Sequence, residues 1–574
     1  GGATIGANLN AGTATASVSI TATGAVSGAG TITATRNVNI SSGSYTGTGA
    51  ITASGSGGIT IAATSGVATL GGNLTTDTSG GNVSVTASGA VSGAATITSA
   101  GAVSITGSSF SGTGAISSVS NGGIYITASG GDASVGGNLN AQTSTSAPIV
   151  VKATANISVT ASKTINTNGG GVVLWSRSAA AESSTTVGAI TLGNSSQIVT
   201  KGGRITLAGS NTNLVNGIPT GHAYTTTAST GGVQLGTSDL AADTNILLNS
   251  SGGVIELFGQ QAGDTNSWGV IVRGGTKITS GTGTISIDGK ANSSSTGNAI
   301  EFENNGTNKI SILSAATSGT AISINGVATG TTAANGGQRG IYTAGAGLTI
   351  SATGGGSVSV VGTAAVASNS NPGGIYILGD TDILTSGAGT VTVNGGSKGI
   401  YMSGTHNLGA TSAGTAPSGS VTVTGDVING ATAINVKTTG DVVFESAGAA
   451  FTGTFSTSAL SLSGSPSSLR IGKSGNTSGV TVSGGTITVA GPISVYGAAV
   501  TVNASMTAST SSGSINIPAT GAVSIGAALS AAGDLTITST ATTMSSANLS
   551  SSGANGISVT ASSGSVTTGG TLAV

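Results

Sequence analysis

Short apolar–polar–apolar triplets recur along the chain at a nearly constant step. They read Val18-Ser19-Ile20, Val38-Asn39-Ile40, Ile59-Thr60-Ile61, Val83-Ser84-Val85, Val103-Ser104-Ile105 and Ile124-Tyr125-Ile126. Between their last residues the steps are 20, 21, 24, 20 and 21. The step returns later, where Val495, Ile517, Ile537 and Val559 lie 22, 20 and 22 apart. Period-two alternation of Val, Ile and Thr predicts half-buried strands. The Gly, Asn and Ser between them predict turns. Two more apolar positions fall within each step, such as Val26 and Ile32 before Val38, so each step predicts a coil of three short strands. Helical periodicity is missing, and one short helix is predicted at Ala179–Glu182 within SRSAAAESS.

A longer repeat contains these coils. The stretch Gly24–Ala53 matches Gly89–Ser118 at 17 positions without a gap. The same shift of 65 relates Asn8-Leu9, Asn73-Leu74 and Asn138-Leu139, and pairs Tyr45 with Phe110. Self-similarity of this kind marks a solenoid or an array. The fold class predicted is all-β, a parallel β-helix of about 20–24 residues per coil, with Val and Ile inward and Ser, Thr and Asn outward. A meander of antiparallel hairpins competes, but leaves long flat edges and does not explain a coil-length repeat. With coils about 4.8 Å apart, an even division of the chain gives roughly 26 coils and a rod about 125 Å long.

Composition fits such columns. Of 574 residues 101 are Gly, charged residues are 5% and aromatic residues 3%. Like residues stack over one another in a solenoid, so a column of like charges repels, whereas neutral Ser, Thr and Asn can form ladders. The net charge of -1 and only 15 Lys+Arg argue against nucleic acid as a partner. There is no Cys, which excludes disulfides and thiolate chemistry, and no apolar run long enough for a membrane helix. The chain opens on Gly1 with no leader pattern, which reads as a processed protein or a segment of a longer one.

Four zones are expected: regular β-helix over 1–151, a wider or decorated zone over 152–310, a zone of Gly-Ile-Tyr phrases over 311–450 and regular β-helix over 451–574. Residues 152–310 hold 17 of the 31 charged residues and both Trp. Trp175 with Arg177, and Trp268 with Arg273 or Lys277, are the candidate glycan face, since an indole offers a flat apolar surface beside a polar handle. The structural alternative is that both indoles plug a wider core. Asn211–Thr230 lacks alternation, contains Pro219 and predicts a protruding loop. His222 and His406 read as turn residues. The phrase with Tyr342, Tyr376 and Tyr401 already occurs at Tyr125.

Catalytic signals are thin. Glu301 with Glu303, and Asp380 with Asp382, are the candidate carboxylate pairs, and each reads more simply as surface acids. Gly379-Asp380-Thr381-Asp382 is the best local calcium candidate, but no calcium-roll nonapeptide occurs. Gly354-Gly355-Gly356-Ser357-Val358 leads into a strand and so is no phosphate-binding loop. The varying middle residue of the triplets argues against an ice-binding face. No cofactor, metal or catalytic residue is expected.

Runs such as GAVSITGSSFSGTGAIS, GGNLTTDTSGGNVSVTASGAV and GGTITVAGPISVYGAAVTVNASM resemble the shafts of filamentous-haemagglutinin-like adhesins, large two-partner-secretion exoproteins of Gram-negative bacteria. The resemblance spans nearly the whole chain and rests on repeat style. The family's NPNL-type and NPNG-type secretion motifs are not found; the nearest string is Asn371-Pro372-Gly373-Gly374. The resemblance implies a right-handed β-helix, secretion and a place at the bacterial cell surface. The expected function is a non-enzymatic structural and adhesive shaft, with a host, neighbouring-cell or matrix surface as partner and attachment or biofilm formation as outcome. The matching phrases Ile5-Gly-Ala-Asn-Leu9 and Ile525-Gly-Ala-Ala-Leu529 leave an alternative, a filament subunit joined head to tail. A polysaccharide-active enzyme is the third reading.

Overall fold

Each triplet becomes a strand with one buried face. In Val38–Ser42 the residues alternate buried and exposed along the whole strand, and Ile59–Ala63 keeps Ile59, Ile61 and Ala63 inside with Thr60 outside. In the computed structural model the described residues are all except 78–79, 121, 142–145, 238–242, 263–266, 293–296, 305–306, 331–337, 346, 367–372 and 431. Asn371 and Pro372 of the near-motif lie outside them. The chain is an all-β parallel β-helix. Its described residues fall into two compact units, Gly1 to Asp288 and Gly289 to Val574.

In the first unit three parallel ladders wall each coil. One carries Val26, Tyr45, Ala68, Val91 and Phe110 in register; a second carries Ile32, Ile51, Leu74, Ile97 and Ile116; a third carries Val38, Ile59, Val83, Val103 and Ile124. All of these side chains are buried. Each buried aliphatic one stabilises by about 1.5–3 kcal/mol before chain entropy is counted. Among the described residues, strands pair in parallel except where Ile205–Val215 turns back on Ile218–Gly221, beside a single antiparallel bridge between Gly188 and Tyr224.

The longer repeat has a packing cause. The Tyr45 ring lies over Gly47, and the next coil faces this pair with Ala68 and Leu70. Phe110 lies over Gly112 in the same way, faced by Ala133 and Val135. A large–small pair in one coil thus meets a small–large pair in the next, which fills a narrow core evenly. Both rings sit inside, and burial pushes the Tyr45 hydroxyl up to about 12. The repeated Asn has a separate task at the corner between walls. Asn8, Asn73 and Asn138 each accept the backbone N–H of a residue one coil on, from Thr31, Thr96 and Thr164 at 3.0, 3.0 and 2.9 Å.

Coil length is not uniform, and the expected step is exceeded over much of the middle of the chain. Ile157 pairs with Ile190 and Ile190 with Val233, steps of 33 and 43. In the second unit Ile300 pairs with Ile341, a step of 41, before steps of 34, 25 and 28 lead to Ile375, Ile400 and Ile428. Steps of 20, 23 and 19 return from Val480 through Val500 and Val523 to Thr542. The chain therefore makes fewer coils than even division gives. Inward residues stay in register while the connections between walls absorb the excess length. Asn211–Thr230, expected as a loop, supplies strands instead. Residues 211–217 stand exposed at the tip of the Ile205–Gly221 hairpin, and Ala223–Thr225 rejoins the wall.

The helix expected at Ala179–Glu182 does not form. Two successive turns take its place, closed by Ala180 N–H to Arg177 C=O at 2.9 Å and Ser184 N–H to Ala181 C=O at 3.0 Å. So short a segment cannot meet the cost of helix nucleation when a buried arginine organises it otherwise.

Candidate functional site

Trp175 lies on the strand Val172–Ser176 with its side chain on the outer face, half-buried. Its indole N–H donates to Ser210 C=O at 2.7 Å. The cation on its ring is Lys152, the register partner one coil away, with Nζ 4.3 Å from the ring centroid. Arg177, the partner expected from sequence, is elsewhere. The strand ends at Ser176, and Arg177 has a φ of 51°, which turns its side chain inward. There its guanidinium donates to the carbonyls of His222, Ala181 and Ser184 at 2.8, 2.9 and 2.6 Å and lies 5.0 Å from the Tyr224 ring. It is fully buried and fastens the hairpin to the wall. Burial lowers its pKa, with Glu182 and Tyr224 acting in the opposite direction.

Trp268 and Arg273 do meet. They bound the strand Trp268–Arg273, and the guanidinium lies 5.6 Å from the indole. Arg273 is buried and donates to Gly236 C=O at 2.6 Å, while Trp268 is half-buried. Lys277 is exposed at the start of Lys277–Thr279.

Neither histidine is a surface turn residue. His222 is buried, with Nδ1 2.6 Å from Glu182 Oε1, Nε2 3.5 Å from Asp288 Oδ1 and its ring edge-on to Phe258. His406 points into the core from Thr405–Gly409, in a column between Thr381 and Ile434. Neither of its ring nitrogens has a hydrogen-bond partner, and burial pushes its pKa down to about 4 against the pull of Asp380 and Asp382.

The acid pairs divide in the same way. Asp380 accepts the Thr405 N–H at 2.8 Å, and Asp382 accepts Asn407 Nδ2 at 2.7 Å. Asn407 in turn accepts Asn435 Nδ2 at 3.2 Å, so Asp382 ends an outward amide ladder. Glu301 and Glu303 flank the inward Phe302 on Ile300–Glu303. Glu301 is buried and accepts Asn298 Nδ2 at 2.8 Å. Among the described residues, no group of three His, Cys, Asp or Glu is placed to hold a metal ion.

The Gly-Ile-Tyr phrase proves more informative. Glu301, Tyr342, Tyr376, Tyr401 and Asn429 form one outward register column across successive coils. The Tyr376 and Tyr401 rings stack at 4.5 Å and 12°, while Tyr342 and Tyr376 are 5.9 Å apart and tilted by 35°. Arg339 lies against this column, 4.6 Å from the Tyr342 ring and 4.1 Å from the Tyr376 ring. Tyr125 carries the same phrase on Ile124–Ala128 and is exposed, with Ser104 and Val150 as its register partners. The repeated phrase was the only signal in the sequence; nothing there pointed to Arg339.

The column ends at a break in its wall. Among the described residues no backbone hydrogen bond joins Ile428–Asn429 to Phe455–Ser456, where pairing resumes. A cavity of about 170 Å³ opens there, lined by Ile428, Asn429, Ile434, Phe444, Phe455 and Leu460 among others. No family model, curated protein or solved structure matches the chain.

Proposed function

We propose that this chain is a non-enzymatic structural and adhesive shaft of a secreted bacterial surface protein, acting outside the cell in attachment or biofilm formation. One observation carries the reading: consecutive coils stay in register, which sets outward side chains in columns on walls held by backbone hydrogen bonds. Such a wall is stabilised coil by coil and extends without a central core. Its outer face is free to carry contacts. Trp175 with Lys152 and the tyrosine column with Arg339 combine flat rings with cations, groups that suit polar polymers.

The test is to display the chain on a non-adherent bacterium and measure attachment to abiotic, matrix and glycan-coated surfaces. Attachment above that of an unrelated displayed protein of similar size is expected. No gain on any surface would overturn the adhesive reading. Fibres growing from the purified chain would favour the head-to-tail subunit, and release of fragments from a polysaccharide would favour an enzyme.

A further inference from the structure

We propose that Arg339 and the tyrosine column beside it bind the carboxylates of an acidic linear polysaccharide, a uronic-acid polymer. This deepens the adhesive reading and rests on it.

The argument starts from Arg339 itself. A guanidinium stays charged in proteins and carries five N–H donors. At Arg339 that group makes no hydrogen bond and no ion pair with a described residue, and its buried Nε has no partner. Its distances of 4.6 and 4.1 Å to two rings 5.9 Å apart place it beside both tyrosines, off the line that joins their centroids. Both rings lie within cation–π reach of the guanidinium, and neither is a hydrogen-bond partner to it. Glu301 is near enough to favour the charge, yet burial outweighs it, and it is occupied by Asn298. Arg339 is half-buried, and its buried Nε is a donor without an acceptor, which is costly. A carboxylate in the guanidinium plane answers it with two parallel charge-assisted bonds. Glu301 repels an anion, so the approach is confined to the side of Arg339 away from it.

The column decides between ligands. Tyr376 and Tyr401 use their faces on each other, which leaves ring edges and hydroxyls for the ligand. That favours a hydroxyl-rich partner over an apolar one. Asn298 adds a buried Oδ1 with no hydrogen-bond partner, an acceptor for a ligand hydroxyl in the same cluster. The tyrosines repeat once per coil, about every 4.8 Å along the stack. That is close to the length of one pyranose residue, so a linear chain running along the column sets successive sugars over successive coils.

The test titrates the whole chain with polygalacturonate, fully methyl-esterified polygalacturonate, dextran and acetate, using calorimetry at low and high salt. Polygalacturonate is expected to bind, and the ester and dextran to fail. Arg339→Gln should weaken binding about tenfold or more, from the loss of charged hydrogen bonds. Arg339→Lys keeps the charge but not the fork and should fall in between. Tyr376→Phe removes only a hydroxyl, and it should weaken binding a few-fold without loss of fold. Circular dichroism and melting of each variant separate misfolding from lost contacts. Equal binding of the ester, full binding by a folded Arg339→Gln variant, or acetate binding as tightly as the polymer per carboxylate would each overturn the proposal. Attachment measured on the displayed Arg339→Gln chain keeps the two readings apart. Attachment retained without polygalacturonate binding leaves the adhesive reading standing, whereas an unmodified chain that binds polygalacturonate but attaches to nothing sinks that reading alone.

Discussion

The ring of Tyr45 lies across Gly47, two positions on along the same inward face, where a Cβ would collide with the tyrosine ring and hydroxyl. The facing coil reverses the order, with Ala68 against Tyr45 and Leu70 against Gly47. The reversal is confined to this side, since the preceding coil sets Val26 against Tyr45 and Gly28 against Gly47 in the same order.

That arrangement predicts strong coupling. Gly47→Leu alone overpacks the coil and should cost about 1–3 kcal/mol. Tyr45→Ala alone opens a cavity and should cost about 3–5 kcal/mol. The double variant recreates the Ala–Leu pair of the next coil and should cost clearly less than the sum. Gly485→Ala, where nothing lies within 4 Å of the added atom, should be near neutral. Additive losses in a chemical-denaturation cycle would show that the two sites are independent.

The corner amides predict a local effect. Asn73→Ala removes the acceptor for the Thr96 N–H, a bond of 3.0 Å between coils. The expected cost is about 1 kcal/mol. Because solenoid stability is a sum of neighbouring terms, the loss should concentrate near the altered corner. Hydrogen exchange at Thr96 and its neighbours should accelerate while exchange in distant coils does not; a uniform change along the chain would contradict the coil-by-coil account.

The inward and outward assignments are tested by one pair of substitutions. Ile61 is fully buried and Thr60 beside it is exposed. Ile61→Asp places an unpaired charge in a narrow core and should be severe, whereas Thr60→Asp should stay within about 0.5 kcal/mol. Soluble yield and thermal melting report the difference, and similar outcomes for both would reverse the assignment.

His406 predicts a pH dependence. Its folded pKa, about 4, lies below the ordinary value of 6.5. Between these values the unfolded chain binds the proton and the folded chain does not. Stability from this group is therefore complete above pH about 6.5, falls as pH drops toward about 4, and then levels off, by up to about 3 kcal/mol. His406→Leu should remove that part of the acid slope in denaturation measured from pH 4 to 7. An unchanged slope would show that other groups carry it.

The sequence by itself determined the strand type, the inward and outward faces and the coil step of the regular zones. It could do so because a solenoid strand meets only the same strand one coil away, so local alternation and a short repeat already contain the packing. Asn73 and Tyr45 were visible as repeats, although their tasks were not. Tertiary structure alone decided the rest. Connections between walls lengthen without disturbing the inward columns, so the unequal steps that align Tyr342, Tyr376 and Tyr401 leave no regular period to read. A single positive φ turned Arg177 away from Trp175 and left that ring to Lys152. His406 and Arg339 took their surroundings from residues a coil or more away, and one-dimensional spacing carries no record of those neighbours.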